Sequence, residues 1–234
     1  MNVIVLVAVL GLVLGAALNQ LIVRQLRDPQ QPAVAVAPRS WLPIVGPLTA
    51  RNWLALAVEV LTAVMAVVLW RYYGWQPRFW LLLAATLVLI DTAAIDWQVR
   101  LIDTLIMLGA TVLAVALAPW IISSQSIGSW QNSLLGMITA GFIFLLFFIV
   151  AKILYPQQHA PFGLGDVYLG MFIGALLGLF RVGPALFYGM ILAGVASMGI
   201  ILFLGYQRAR HIPIAYGSFL CLGVLLYLAL EPFS

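Results

Sequence analysis

Charge is what this sequence has least of. Only 8% of its 234 residues are Asp, Glu, Lys or Arg, whereas 65% are hydrophobic, and the mean hydropathy is +1.12. A soluble domain carries about 25% charged residues, so a soluble globular fold is excluded. The single cysteine, Cys221, excludes an internal disulfide and a cysteine-based zinc site. The two histidines, His159 and His211, lie apart in loop-like stretches and offer neither a metal cluster nor a serine–histidine pair. No metal and no cofactor is expected. The weak alternation of a membrane β-barrel is also missing. So are the basic flank and the small-residue cleavage site that would make a signal peptide of the apolar run 3–23, which reads as a retained span.

What is present is apolar runs of spanning length. They fall at about 3–23, 53–70, 79–95, 104–122, 133–151, 166–180, 184–205 and 213–230. Backbone N–H and C=O groups must be satisfied internally in hydrocarbon, so these runs are expected to be helices. The fold class is therefore all-α, a polytopic membrane helix bundle of about eight transmembrane helices. It is one membrane domain over 1–234, with a short Pro- and Arg-rich loop at about 24–52. The lipid bilayer is its surrounding, as a multi-pass protein of the inner or plasma membrane. With the N-terminus outside, eight of the 11 basic residues face the cytoplasm, including Arg24, Arg100 and Lys152. The positive-inside rule thus favours N-out and C-out. Arg71 and Arg78, in "RYYGWQPR", run against the rule, but the Trp and Tyr residues there suit an interfacial belt. The net charge of +4 bears on orientation; no nucleic acid is expected as a partner.

Seven acids remain to be explained: Asp28, Glu59, Asp91, Asp96, Asp103, Asp166 and Glu231. Asp28 and Glu231 sit in polar ends. The other five lie in or beside apolar runs, where a carboxylate is costly and defaults to a functional hypothesis. Asp166 follows Gly163-Leu164-Gly165 at the start of the sixth run. There it either caps a helix or serves a site into which glycine lets another segment approach. Asp96, in "AAIDWQVRLIDTLI", either pairs with Arg100 one turn on or belongs to the same site as Asp166, which lies at the same expected depth. Asp103 shares the Asp96 face if the helix continues, or caps the fourth run. Two close carboxyls share one proton. One then activates water and the other donates to the carbonyl under attack, which is aspartic-type peptide hydrolysis.

Gly163-Leu164-Gly165-Asp166-Val167 resembles the Gly-x-Gly-Asp motif of the type IV prepilin leader peptidases. "GLVLGAALNQLIVR" is similar to that family's opening segment, with Asn19 and Arg24 in register, and "VEVLTA" is similar to its second span, carrying Glu59. "AAIDWQVRLID" resembles its first catalytic site, and "IPIAYGSFLCLG" its closing segment. The resemblance implies a membrane aspartic endopeptidase with Asp96 and Asp166 as the pair. Gly163, Gly165, Asn19, Arg24, Glu59 and Asp103 would support them. The implied partners are prepilin- or pseudopilin-like proteins, cut on the cytoplasmic side for type IV pili or protein secretion.

Three departures stand out. Tyr168 takes the place of a frequent Lys, Asp103 stands where the first-site turn has Pro, and the first loop has none of the Cys-x-x-Cys motifs linked to N-methylation. Methyl transfer is therefore not expected. A non-catalytic member that scaffolds pilus assembly and a proton- or cation-coupled transporter are the alternatives. The glycine stripes at Gly11 and Gly15 and at Gly170, Gly174 and Gly178 suit packing between the chain's own spans better than substrate docking.

Overall fold

The computed structural model describes residues 2–26, 43–49, 52–122, 127–154, 163–205, 207 and 215–233. Most of the expected 24–52 loop, with Asp28, and both histidines lie outside them. Among the described residues the regular elements are all α-helices. Five have the length and apolarity to cross a membrane: α1 (Asn2–Gln25), α3 (Trp53–Tyr73), α4 (Pro77–Val99), α7 (Ser129–Leu154) and α9 (Leu179–Leu204). Three shorter apolar helices, α5 (Thr104–Ala116), α8 (Leu164–Leu177) and α10 (Tyr216–Leu230), occupy the remaining expected runs. Two short pieces, α2 (Val45–Thr49) and α6 (Ala118–Ile121), complete the set.

The differences from the sequence-based spans have local causes. The run 104–122 breaks at Leu117 because Pro119 opens α6; a proline there could neither donate to nor clear the carbonyl four residues back. The seventh run begins at Leu179, five residues before its expected start, and passes through Pro184. The loop expected around Arg181 is thereby absent. Arg181 sits in the first turn of α9 with its guanidinium 4.5 Å from the Phe233 ring centroid. α8 and α9 are joined by Gly178 alone, at φ +77°, a left-handed value that glycine adopts without steric cost.

The residues form two compact units, 1–100 with 228–232, and 101–227 with 233–234. In the first, α1 and α3 run antiparallel with their backbones in contact. A Cβ on Gly11 would stand 2.6 Å from the Ala63 Cα, and one on Gly15 2.7 Å from the Glu59 Cα. α4 packs on both helices and is the most buried of the long spans, with 72% of its most apolar window inside the protein against 28% for α1 and 39% for α3. Its Thr86, Asp91, Thr92 and Asp96 are buried inside the protein. At the α3–α4 turn, Trp75 stacks on Trp80 at 5.7 Å and meets Trp70 and Phe79 edge-on, an aromatic cluster of the interfacial kind.

In the second unit α7 and α8 cross antiparallel, with Gly136 and Gly174 backbone against backbone. The glycine stripe after Asp166 thus packs on the chain's own α7, as Gly11 and Gly15 pack on α3. The α8–α9 break leaves backbone groups open, and α7 supplies their partners. Asn132 Oδ1 accepts from the Leu179 N–H at 2.8 Å, and Ser133 Oγ donates to the Ala175 carbonyl at 2.7 Å.

Gly136→Ala should lower the thermal unfolding midpoint in detergent, at a cost of about 1–3 kcal/mol for overpacking. Gly109→Ala, in α5 with no atom within 4 Å of the added carbon, should be neutral or stabilising by up to about 1 kcal/mol. Equal effects of the two would show that the Gly136–Gly174 contact does not hold the unit.

Candidate active site and its polar neighbours

Each expected site residue has a definite place. Asp166 is the third residue of α8, whose N-cap is Gly163; the helix starts two residues before the expected position. Its Oδ2 reaches back to accept the Gly163 N–H at 3.0 Å, while its own N–H donates to the Gly163 carbonyl at 3.1 Å. This is the carboxylate half of a capping box. The two glycines of the motif play different parts. Neither has a positive φ, so backbone freedom is not what they supply. Gly165 gives close approach, since a Cβ there would lie 2.8 Å from the Ile102 Cβ. Nothing crowds Gly163 closer than 3.8 Å, and no steric reason for glycine appears there.

The Ile102 contact has a further result. It sets the turn before α5 against the first turn of α8, so that both helices start side by side in the second unit and pack together. Asp103 stands one residue beyond that contact, as Asp166 does on the other side. Asp103 is exposed and caps α5, its Oδ1 accepting from Leu105 N–H at 2.8 Å and Ile106 N–H at 3.3 Å. Tyr216, the half-buried first residue of α10, lies within the electrostatic reach of Asp166 in the same unit. It lies within the closing segment "IPIAYGSFLCLG", but the sequence reading did not single it out.

Asp96 belongs to the first unit, three residues from the end of α4, and is 5% exposed. α4 ends at Val99, and Arg100 turns left-handed at φ +55° as its C-cap, donating its backbone N–H to the Asp96 carbonyl. The helix therefore does not continue to Asp103, and the shared face expected for Asp96 and Asp103 does not form. Nor does Arg100 stand on the helical face that an i,i+4 pair with Asp96 requires. Asp91 is also buried, at 6% exposure, higher in α4.

Around the end of α4 lies a polar cluster. Ala94 and Gln98 line a cavity of about 20 Å³, together with Asn19, Ile22, Asn52 and Val58 of α1 and α3. That is room for a single water. Asp96 is about 200° around the helix from both Ala94 and Gln98, so it points away from this cavity. Asn19 donates to the Ala55 carbonyl at 2.9 Å and to Glu59 Oε1 at 3.1 Å. Glu59, 1% exposed, also accepts the backbone N–H of Ile44 at Oε2. Hydrogen bonds to a carboxylate contribute about 1.5–3 kcal/mol each. Ile44 draws on that: it has φ +66° at the centre of a turn closed by Val45 N–H on the Pro43 carbonyl at 2.7 Å. For a β-branched residue this strained γ-type geometry costs about 1–3 kcal/mol. Asn52 N-caps α3 through Ala55 N–H at 3.1 Å. It was missed in the sequence, although an Asn just before an apolar run is a recognised helix-start signal. Arg24 is exposed in the last turn of α1, where a cation suits the helix dipole. Among the described residues no three His, Cys, Asp or Glu side chains gather as a metal site.

Comparisons with curated proteins and with solved structures give no match. A family profile described as the type IV leader peptidase family matches residues 80–200, from the first turn of α4 to near the end of α9. That stretch is more than half of the chain and holds Asp96, the α4–α5 turn and the whole Gly163–Asp166 motif; this multi-pass membrane protein belongs to the type IV leader peptidase family.

Proposed function

We propose that this peptidase is an aspartic-type endopeptidase that removes the leader of prepilin-like proteins, with Asp96 and Asp166 as its catalytic pair. The supporting observation is the place of the acids in the family-matched stretch. Residues 80–200 hold four of the seven acids: Asp91, Asp96, Asp103 and Asp166. Asp103 is exposed at the start of α5, and Asp91 lies more than one turn deeper in α4. That leaves Asp96, buried at the end of α4, and Asp166, in the first turn of α8. Asp166, at the positive end of a helix, is the base, and Asp96, at a negative end, is the acid.

In this reading Asp166 takes a proton from water as the water oxygen bonds to the scissile carbonyl carbon. Asp96 gives its proton to the carbonyl oxygen. The tetrahedral adduct then collapses, the C–N bond breaks, and a proton passes to the leaving amine. The substrate's basic leader stays on the cytoplasmic side while its apolar helix lies against the spans. This places both termini of the enzyme outside.

Asp96→Asn and Asp166→Asn should each lower kcat on a prepilin-like peptide by about 10²–10⁴-fold with membrane levels unchanged. Activity that survives Asp96→Asn but disappears in Asp103→Asn would move the first carboxylate to Asp103. With S-adenosylmethionine present, mass spectrometry of the cleaved product should find an unmodified N-terminus; stoichiometric methylation by this chain alone would refute that expectation. Cysteines introduced at positions 30 and 160 of a Cys221→Ser variant should be labelled only from the cytoplasmic side. Labelling of position 160 from outside would overturn the orientation and with it the site of cleavage.

A further inference from the structure

The two arginines that run against the positive-inside rule still call for a partner. Arg71 lies in the last turn of α3 and Arg78 in the first turn of α4, at the other end of α4 from Asp96. An interfacial belt accounts for the Trp and Tyr residues between them, not for two cations. Arg71 is exposed and has no ion-pair or hydrogen-bond partner among the described residues. Arg78 is half-buried, its guanidinium 5.8 Å from the Tyr73 ring centroid. It stands at the positive end of α4, where a helix favours an anion, yet the first turn has no acid and the N-cap Gln76 gives no side-chain cap. The acids among the described residues of this unit do not answer the charge. Glu59 is twelve residues from Arg71 along α3 and Asp91 thirteen from Arg78 along α4, roughly 18 Å or more in each case. Glu231 follows Ala229, whose carbonyl accepts the Tyr72 hydroxyl at 3.1 Å, and it forms no ion pair among the described residues. Donors at the turn also exceed acceptors. The indole N–H groups of Trp75 and Trp80 bond to no described residue, and that of Trp70 is buried without an acceptor.

We propose that the α3–α4 turn binds the headgroup of an anionic phospholipid, with Arg71 and Arg78 holding the phosphate and the Trp75–Trp80 stack lying along the glycerol and upper acyl chain. A phosphate diester only accepts hydrogen bonds, and the guanidinium fork matches its oxygens. The Tyr73 ring fixes Arg78 before a ligand arrives, which lowers the cost of ordering it. Trp75 and Trp80, 48% and 46% exposed with their rings 5.7 Å apart, add an apolar surface with a polar edge beside the cations. A soluble anion would leave that surface uncovered, whereas a lipid covers it and meets the charge together. The site depends neither on the catalytic pair nor on which way the protein faces.

Native mass spectrometry of the full-length protein, titrated in detergent with phosphatidylglycerol or with phosphatidylcholine of the same acyl chains, tests the site without reference to activity. The first phosphatidylglycerol should bind about tenfold more tightly than phosphatidylcholine, the scale of one charge-assisted hydrogen bond. The double variant Arg71→Gln, Arg78→Gln should bring the two lipids to equal Kd. Lys152→Gln, which removes a cation from the second unit, should leave the preference intact. Equal affinity for the two lipids in the parent overturns the proposal, and so does a preference that survives in the folded double variant. Arg71→Gln alone changes only an exposed side chain and should weaken phosphatidylglycerol binding several-fold. An unchanged Kd there overturns the proposal even where the double variant does not fold. Excess inorganic phosphate, at an ionic strength matched with chloride, should not displace the lipid. Displacement would assign the two arginines to a soluble anion and overturn the headgroup site.

Discussion

A backbone group cut off from its helical partner must find another one, and in this chain almost no water and few side chains are there to offer it. That constraint decides where the scarce polar residues stand. Asn52 and Asp103 satisfy the first N–H groups of α3 and α5. Asp166 takes the N–H of the residue that caps its own helix. Asn132 and Ser133 attend to both sides of the α8–α9 break. Even the hydroxyls inside helices, Thr62, Thr111 and Ser197 among them, bond to the carbonyl four residues back and so enter an apolar surrounding already satisfied. Breaks in the spans occur where such a partner can be supplied.

The same constraint sharpens the reading of the acids. A carboxylate that serves a helix end is explained by structure, and Asp103 has such an explanation. Asp166 has one as well, so its cap and its proposed chemistry are not rivals. The cap engages Oδ2 and fixes the direction of the carboxyl group, which a water-activating base needs. Asp96 is different. It is buried three residues from the end of α4, where the helix dipole opposes an anion.

The apolar runs were legible because spanning length is a property of composition, and the five long helices follow them closely. The breaks were less so. Pro119 ends a helix as proline should, yet Pro184 does not, because Gly178 and Asn132 had already placed the break five residues earlier. That partner comes from a helix more than 40 residues away, which no local pattern can show. The motif glycines gave a similar lesson. Gly-x-Gly suggested close approach by another segment, and Gly165 meets the Ile102 side chain, but which segment approaches is a tertiary matter. Glu59 was readable as a carboxylate in need of a partner. Its partners, an amide on α1 and a backbone N–H fifteen residues upstream, were not.

The crossing of α7 and α8 has a mechanical consequence. Where two helices meet through side chains, rotamer changes let them slide. Gly136 and Gly174 meet without any side chain between them, so the pair has one register. A slide by one turn would set Gly174 against Ala140 or Asn132, whose side chains have no room there. α8 can therefore travel only together with α7, as one rigid plate. Asp166, in the first turn of α8, therefore keeps its register with α7.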